Sequence, residues 1–572
     1  MDLIRKLNEN LNKEFGEAVT AHEEKGCVVL TGSLNVWDDI VKAGQMAVNE
    51  KKYHGVINDI EYTGGEIPKM KLPDINDSSL SGRHCDVLII GAGIIGCAIA
   101  RELSRYDLDI ILVEKEHDVA LHASSRNDGE IHPGVDLLPG QVKQKYNSMG
   151  NAMYDRICKE LDVPFKRPGQ YLCFKKTYMK LISKMARKYW KYMKVPSRYV
   201  SREELNGKIK GLDKDIKCAI YFPTAGIVCP YGLTIAYAEN AVQNGVTLCL
   251  DTAVTGMDVK GGEIRSVMTN RGRIYPEAVI NAAGVFSDVI AQMADDRFFT
   301  IHARKGTNAI IDKKVAKGYD IIVSSYGTSA IKKTHSKGGG IMTTSDGNFL
   351  IGPDAAETYE REDFSTTGPS IEATLKKQRA TLPGLDKRDI ITYYTGVRAA
   401  TYEEDFVVTK GRSTKNIVHA AGIQSPGLTA APAIAVDVAR MAKEILEARK
   451  PVKDRADFDP IRKGIPRTAA MSDEERQKLI CKDKDFGVII CRCEEVSLGE
   501  IKAALNRPVP CDTVDGVKRR VRPGMGRCQG GFCGPQVLKI ISEEKNIPYD
   551  EVLKSGSGSR ILYGDTKGVK DE

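Results

Sequence analysis

No stretch of this chain is long and apolar enough to cross a bilayer as a helix. The most apolar run, Val87 to Ala100, is short and contains three glycines, whereas a spanning helix needs about 20 apolar residues. A signal peptide is missing too: MDLIRKLNENLNKEF carries charges throughout and has no apolar core. Charge of one sign is also in short supply, with 84 basic residues against 76 acidic ones and a net charge of +8 over 572 residues. That balance does not point to nucleic acid, although it suits an anionic small molecule or an anionic membrane surface. Internal repeats are absent. From these features a cytoplasmic chain without a transmembrane segment is expected, for which peripheral membrane association stays open.

A hydrophobic content of 42% and a charged content of 28% are those of a globular protein. The length exceeds one ordinary core, so two to four domains are expected. Fourteen cysteines in a chain without a leader are expected to stay reduced, and clustered ones then read as metal ligands.

Residues 1–66 read as a small unit in which GCVVLTGSL is a strand, VWDDIVKAGQMAVNEK an amphipathic helix and YHGVINDIEY a second strand. This order resembles a BON domain. A polar linker over 67–84 leads into a long αβ region, 85–450. A charged connector, 451–484, precedes a cysteine-bearing segment, 485–545, and 546–572, with SGSGS, reads as a flexible tail.

The strongest local signal is CDVLIIGAGIIGCAIARELSRYDLDIILVEKE. A buried strand, Asp86 to Ile90, runs into Gly91-Ala92-Gly93-Ile94-Ile95-Gly96, and a helix follows. Gly91 permits the tight turn, Gly93 lets the backbone approach a pyrophosphate, and Gly96 lets helix pack on strand. The helix N-terminus offers N–H groups and a positive dipole end to phosphate. Glu114 closes the next strand, where a carboxylate accepts from ribose hydroxyls. The fingerprint alone does not separate NAD from FAD.

Further along, ASSRNDGEIHPG (123–134), FPTAGIVCPYGLTIAYAENAVQNGVTL, VINAAGVFSDVIAQMA, DGNFLIGP, TGVRAA and HAAGIQSPGLTAAPAIAVDVARMA follow one another. Their content and order resemble the D-amino-acid-oxidase-like FAD superfamily over about 85–450. With the C-terminal cysteines, the whole resembles the A-subunit family of anaerobic glycerol-3-phosphate dehydrogenases. The resemblance implies an α/β fold: a Rossmann-type FAD-binding domain with an interleaved mixed-sheet substrate domain. The small α+β N-terminal unit and a small helical C-terminal [2Fe-2S] domain would flank it.

It also implies FAD as cofactor, held by Gly91, Gly93, Gly96, Glu114, Ser124, Ser125, Asn127, Gly284, Gly422, Gly427, Leu428 and Thr429. Amides at the start of the helix beginning near Gly427 would face the flavin and favour its reduced, negative form. His132 is the expected base for a hydroxyl proton, because an imidazole titrates near neutral pH. Arg398 is expected to grip an anionic substrate group, with Lys305 as a second cation. Asp128 and Glu130 depart from the small or apolar residues usual in the family. If they face the pocket, they disfavour a doubly negative phosphate. Glycerol 3-phosphate leads as substrate. A 2-hydroxy acid such as 2-hydroxyglutarate, an amino acid, or a redox subunit without its own substrate remain alternatives.

Cys491-x-Cys493 and Cys528-x4-Cys533 complete the pattern. Structural zinc sites usually pair cysteines as C-x2–4-C, so the first spacing is tight for zinc and the second is at the wide limit. The arrangement instead resembles a BFD-like [2Fe-2S] domain. Ser497-x-x-Glu500 forms a capping box and Gly534-Pro535 a helix start, which would place both pairs at helix N-termini. A cluster implies electrons leaving singly for a separate acceptor protein or subunit.

Overall fold

A computed structural model describes residues 3–326 and 339–564. Its centre is a parallel sheet in the order Thr247–Cys249, Ile110–Val113, Arg83–Ile90, Gly272–Asn281, Ile417–Ala421. The strands are near-continuous apolar runs because both faces are covered, one by helices and the other by the antiparallel strands Val254–Lys260 and Glu263–Thr269 with the short helix Ser287–Met293. Ile94–Leu103, Pro230–Gln243 and Gly427–Glu447 pack together on one face as the largest core cluster. A nine-stranded mixed sheet forms the second layer, with Ile301–Ile311 pairing antiparallel along Ile390–Thr401. The α/β architecture with an interleaved second sheet is therefore as expected.

The N-terminal unit is richer than strand–helix–strand. Leu3–Phe15 forms an additional helix and Val19–Glu24 an additional strand, giving a three-stranded sheet. Nor does the unit stand apart. Asn58 Nδ2 donates to Tyr402 Oη (2.9 Å) and the Val56 N–H donates to Glu403 Oε1 (2.9 Å). The ring of Tyr402 stacks on His302 with centroids 4.8 Å apart.

The C-terminal segment corrects the flexible-tail expectation. Val552 is buried with the cysteine-domain core, and Ser555 and Ser557 contact His117 and Asp74. Residues 565–572 lie outside the described residues. The connector is also packed: Arg455 N–H donates to Arg105 O (2.7 Å) and Arg462 Nε to Glu239 Oε2 (2.6 Å).

Several arginines from the cysteine domain reach acids of the larger region, among them three that make two contacts each. Arg520 grips both oxygens of Asp118 (2.9 and 3.0 Å), Arg507 grips Glu239 (3.0 and 2.6 Å), and Arg522 bridges Glu494 and Asp346 (3.0 and 2.8 Å). Burial alone would raise the pKa of Asp118, but Arg520 and Arg519 outweigh it and hold the carboxyl low. Truncating one partner strands a buried charge, which costs about 3–5 kcal/mol. Arg520→Ala is therefore expected to lower the guanidinium midpoint at which the cysteine domain unfolds. An unchanged midpoint would contradict this docking arrangement.

Candidate active site and metal centre

The parallel strands deliver their C-terminal ends to one edge, the position where open α/β sheets bind ligands. There the fingerprint glycines are sterically required. A Cβ on Gly96 would lie 1.8 Å from Gly91 O, and one on Gly91, whose φ is +102°, would lie 2.6 Å from Ala282 O. Gly93 is the N-cap of the helix Ile94–Leu103 and brings no side chain of its own to that end. Ser124 Oγ accepts the Ile94 N–H (2.8 Å), which ties the 123–134 loop to the same helix start. Glu114 accepts the Ala92 and Glu116 N–H groups (2.7 and 3.0 Å), so it holds the turn. Burial lifts its pKa against those donors.

The other expected cofactor residues converge on this edge. Gly284 has φ +56°, and a Cβ there would meet open space. Gly422 has φ +63°, and Gly427 begins the long helix Gly427–Glu447. Thr429 Oγ1 accepts the His132 N–H (2.8 Å), while Leu428 O accepts from Tyr154 Oη. Asn127 O accepts from Tyr394 Oη (2.8 Å), and Asn127 Nδ2 donates to Ala123 O and Ser124 O (3.0 and 3.1 Å). Ser125 Oγ stays within its own turn, donating to His122 O.

Strand alternation decides the cations. Tyr394, Gly396 and Arg398 share one face of Ile390–Thr401, and this face packs on the 126–127 segment through Tyr394 and Gly396. Arg398 is therefore on the loop side. It donates to Lys305 O and Asp354 O (both 3.2 Å), leaving other N–H groups of its five for a ligand. Burial and neighbouring Arg304 press it towards the neutral form, opposed by Asp128, Asp354 and Glu357. Lys305 is a correction. Arg304, not Lys305, stands opposite Arg398 in the register, so Lys305 points to the other face, where Asp363 and Ser365 hold it.

His132 is buried, and its Nδ1 accepts the Gly134 N–H (3.0 Å). A neutral ring so held carries its proton on Nε2, which lies 4.0 Å from an Asp136 carboxylate oxygen. The tautomer with Nε2 free as base cannot coexist with the Gly134 contact. Sequence reasoning missed Arg126, which follows the two serines. Burial lowers its pKa to about 10, and its buried Nη1 has no protein partner. An anionic cofactor group is what would satisfy it.

The cysteines fall into two pairs. Cys493 and Cys528 have Sγ atoms 3.5 Å apart, and Cys491 is hydrogen-bonded to Cys533. No three of the four sulfurs lie within 4.8 Å of one another. One tetrahedral zinc at about 2.3 Å from each sulfur would draw all four to about 3.8 Å. Two pairs fit two irons. Hydrogen bonding from Cys533 lowers the pKa of Cys491 against its burial, aided by the backbone N–H groups of Gly524, Glu494 and Cys493, and Cys533 as the donor is raised in turn. Burial opposes ionisation of Cys528, but the Phe532 and Gly530 N–H groups bring its pKa down. Such donors suit an anionic cluster. Only Cys533 stands at a helix N-terminus, that of Gly534–Lys545. Cys491 ends a short strand, Ile489–Cys491, and the helix capped by Ser497 begins only at Leu498, because a turn through Glu495 intervenes.

Two tests follow from this geometry. Gly96→Ala is expected to lose most of its flavin, measured by fluorescence of the heat-released supernatant; occupancy equal to the parent would contradict the fingerprint's role. Protein purified without oxygen is expected to hold about two irons and two labile sulfides per chain. Zinc in their place would overturn the pairing.

The description of the FAD dependent oxidoreductase family matches residues 86–441, and that of the BFD-like [2Fe-2S] binding domain matches residues 489–543. A glycerol 3-phosphate dehydrogenase of Caloramator mitchellensis is 40% identical over 486 residues, covering 84% of this chain and 99% of that protein. The A subunit of the anaerobic glycerol-3-phosphate dehydrogenase of Escherichia coli strain K12 is 23% identical, over 80% of this chain and 88% of that one. Among solved structures, the L-alpha-glycerophosphate oxidase of Mycoplasma pneumoniae with FAD bound aligns with a TM-score of 0.61 at 26% identity, covering 66% of this chain and 98% of that one. With its fingerprint edge, interleaved sheets and two cysteine pairs, the chain belongs to the FAD dependent oxidoreductases, and its cofactors are FAD and a BFD-type [2Fe-2S] cluster.

Proposed function

We propose that the protein oxidises glycerol 3-phosphate and passes the electrons to a separate acceptor. The observation that carries this reading is the shared face of Ile390–Thr401, which sets Arg398 beside the loop bearing Asn127 and His132. The names of the relatives support the substrate, and the BFD-like domain supports single-electron exit. When bound, FAD supplies the hydride acceptor and the [2Fe-2S] cluster a one-electron store.

The chain's own residues do the rest. Gly91, Gly93, Gly96, Glu114, Ser124 and Arg126 would hold the dinucleotide end, with Gly284, Gly422 and the Gly427–Thr429 helix start lining the flavin end. Arg398 would grip the substrate anion with its remaining N–H groups. His132 would orient the alcohol oxygen from Nε2, and taking its proton requires releasing the Gly134 N–H. Cys491 with Cys533 and Cys493 with Cys528 would each ligate one iron. A 2-hydroxy acid is favoured by one feature: the charge of Asp128 near Arg398 penalises a dianion more than a monoanion.

His132→Ala is expected to slow anaerobic flavin reduction by glycerol 3-phosphate by ~10²–10⁴-fold with FAD retained. Arg398→Ala should raise KM more than it lowers kcat. Stopped-flow absorbance measures both, and parent rates in both variants would place the active site elsewhere.

A further inference from the structure

The helix Met179–Tyr192 has two apolar stripes. The inner one packs: Trp190 and Met193 are buried in a cluster with Phe174, Val195 and Phe222. The outer one is largely exposed. Tyr178, Leu181, Met185, Tyr189 and Tyr192 recur at steps of three and four residues along a single face, and Leu181, Met185 and Tyr192 are 68%, 67% and 74% exposed.

Cations flank this stripe. The stretch KKTYMKLISKMARKYWKYMK, residues 175–194, has eight basic residues and no acidic one. The rest of the chain then carries 76 basic residues against 76 acidic ones, so the whole net excess of +8 resides in this one segment. Arg187, Lys188, Lys191 and Lys194 line a common shallow groove with Val195, Pro196 and Ser197. Among the described residues, none of these four cations has a carboxylate partner.

We infer that this helix docks the protein on an anionic lipid surface. Exposed leucine and methionine are explained by burial among acyl chains, and tyrosines at both ends suit the headgroup boundary. Lysine and arginine of one sign beside them are attracted to anionic headgroups. A nucleic acid would match the cations but leave the apolar stripe in water. No helix among the described residues is long and apolar enough to cross the membrane, so the attachment lies in the surface plane. The helix also touches the segment following His132: Trp190 Nε1 donates to Val135 O from the inner side, and Tyr189 Oη, at the edge of the outer stripe, donates to Leu137 O (both 3.2 Å). Leu138, next along that segment, is itself exposed. The surface facing lipid is thus joined to the loop that carries the candidate active site.

The test is co-sedimentation of the holoenzyme with phosphatidylcholine vesicles, with and without phosphatidylglycerol. Binding is expected to be at least about tenfold stronger on the anionic vesicles and to weaken with salt. The pair Leu181→Glu and Met185→Glu should abolish it, and Lys188→Glu with Lys191→Glu should weaken it. Flavin content and anaerobic flavin reduction should stay at parent values in both, which separates loss of docking from loss of the enzyme. Three results would overturn the inference: no sedimentation with either vesicle, sedimentation indifferent to lipid charge, or a dimer that Leu181→Glu converts to monomer.

Discussion

Everything at the cofactor edge depends on one close backbone approach. Where the strand Arg83–Ile90 turns into its helix, Gly96 sits so near Gly91 O that no side chain fits between them. That contact brings helix onto strand and aims the helix start at the sheet edge, where Gly93 adds no side chain that would stand in the way of a phosphate. Glu114 and Ser124 then fasten the turn from either side through the Ala92 and Ile94 N–H groups. The later motifs are placed by the same geometry, because the parallel strands ending at Asn281 and Ala421 deliver their loops to the same edge.

A second set of constraints is electrostatic. The cysteine domain is held by buried arginine–carboxylate contacts, and Arg522 joins Glu494, the residue after Cys493, to Asp346 and Tyr231 of the larger region. Arginine suits this task because its planar fork meets two acceptors at once and stays charged when buried. The position of the cluster ligands relative to the flavin edge is thereby part of the fold.

What was legible in the sequence was what local chemistry fixes. The fingerprint glycines, the acid at 114, the capping box at Ser497 and the four cysteines each follow from demands within a few residues. The pairing of Cys491 with Cys533 was not legible, since it depends on how distant segments meet. Lys305 was misplaced for a related reason: which of two adjacent residues faces Arg398 is set by strand register, which a single strand does not encode. The Ser/Gly run at 555–559 speaks of local freedom, yet His117 and Asp74 supply it with partners. The N-terminal helix was readable and overlooked, as Leu3, Leu7, Leu11 and Phe15 recur every fourth residue.

The central claim is that substrate electrons enter at the edge built by Gly91, Glu114 and Arg398 and leave through the four cysteines. An anaerobic titration of the holoenzyme with glycerol 3-phosphate, followed by visible absorbance and low-temperature electron paramagnetic resonance, tests it most directly. The expected result is bleaching of the flavin band together with the signal of a reduced [2Fe-2S] cluster, both absent in a glycerol control. A flavin band that glycerol 3-phosphate leaves untouched, or one that bleaches while the cluster stays oxidised, would contradict it.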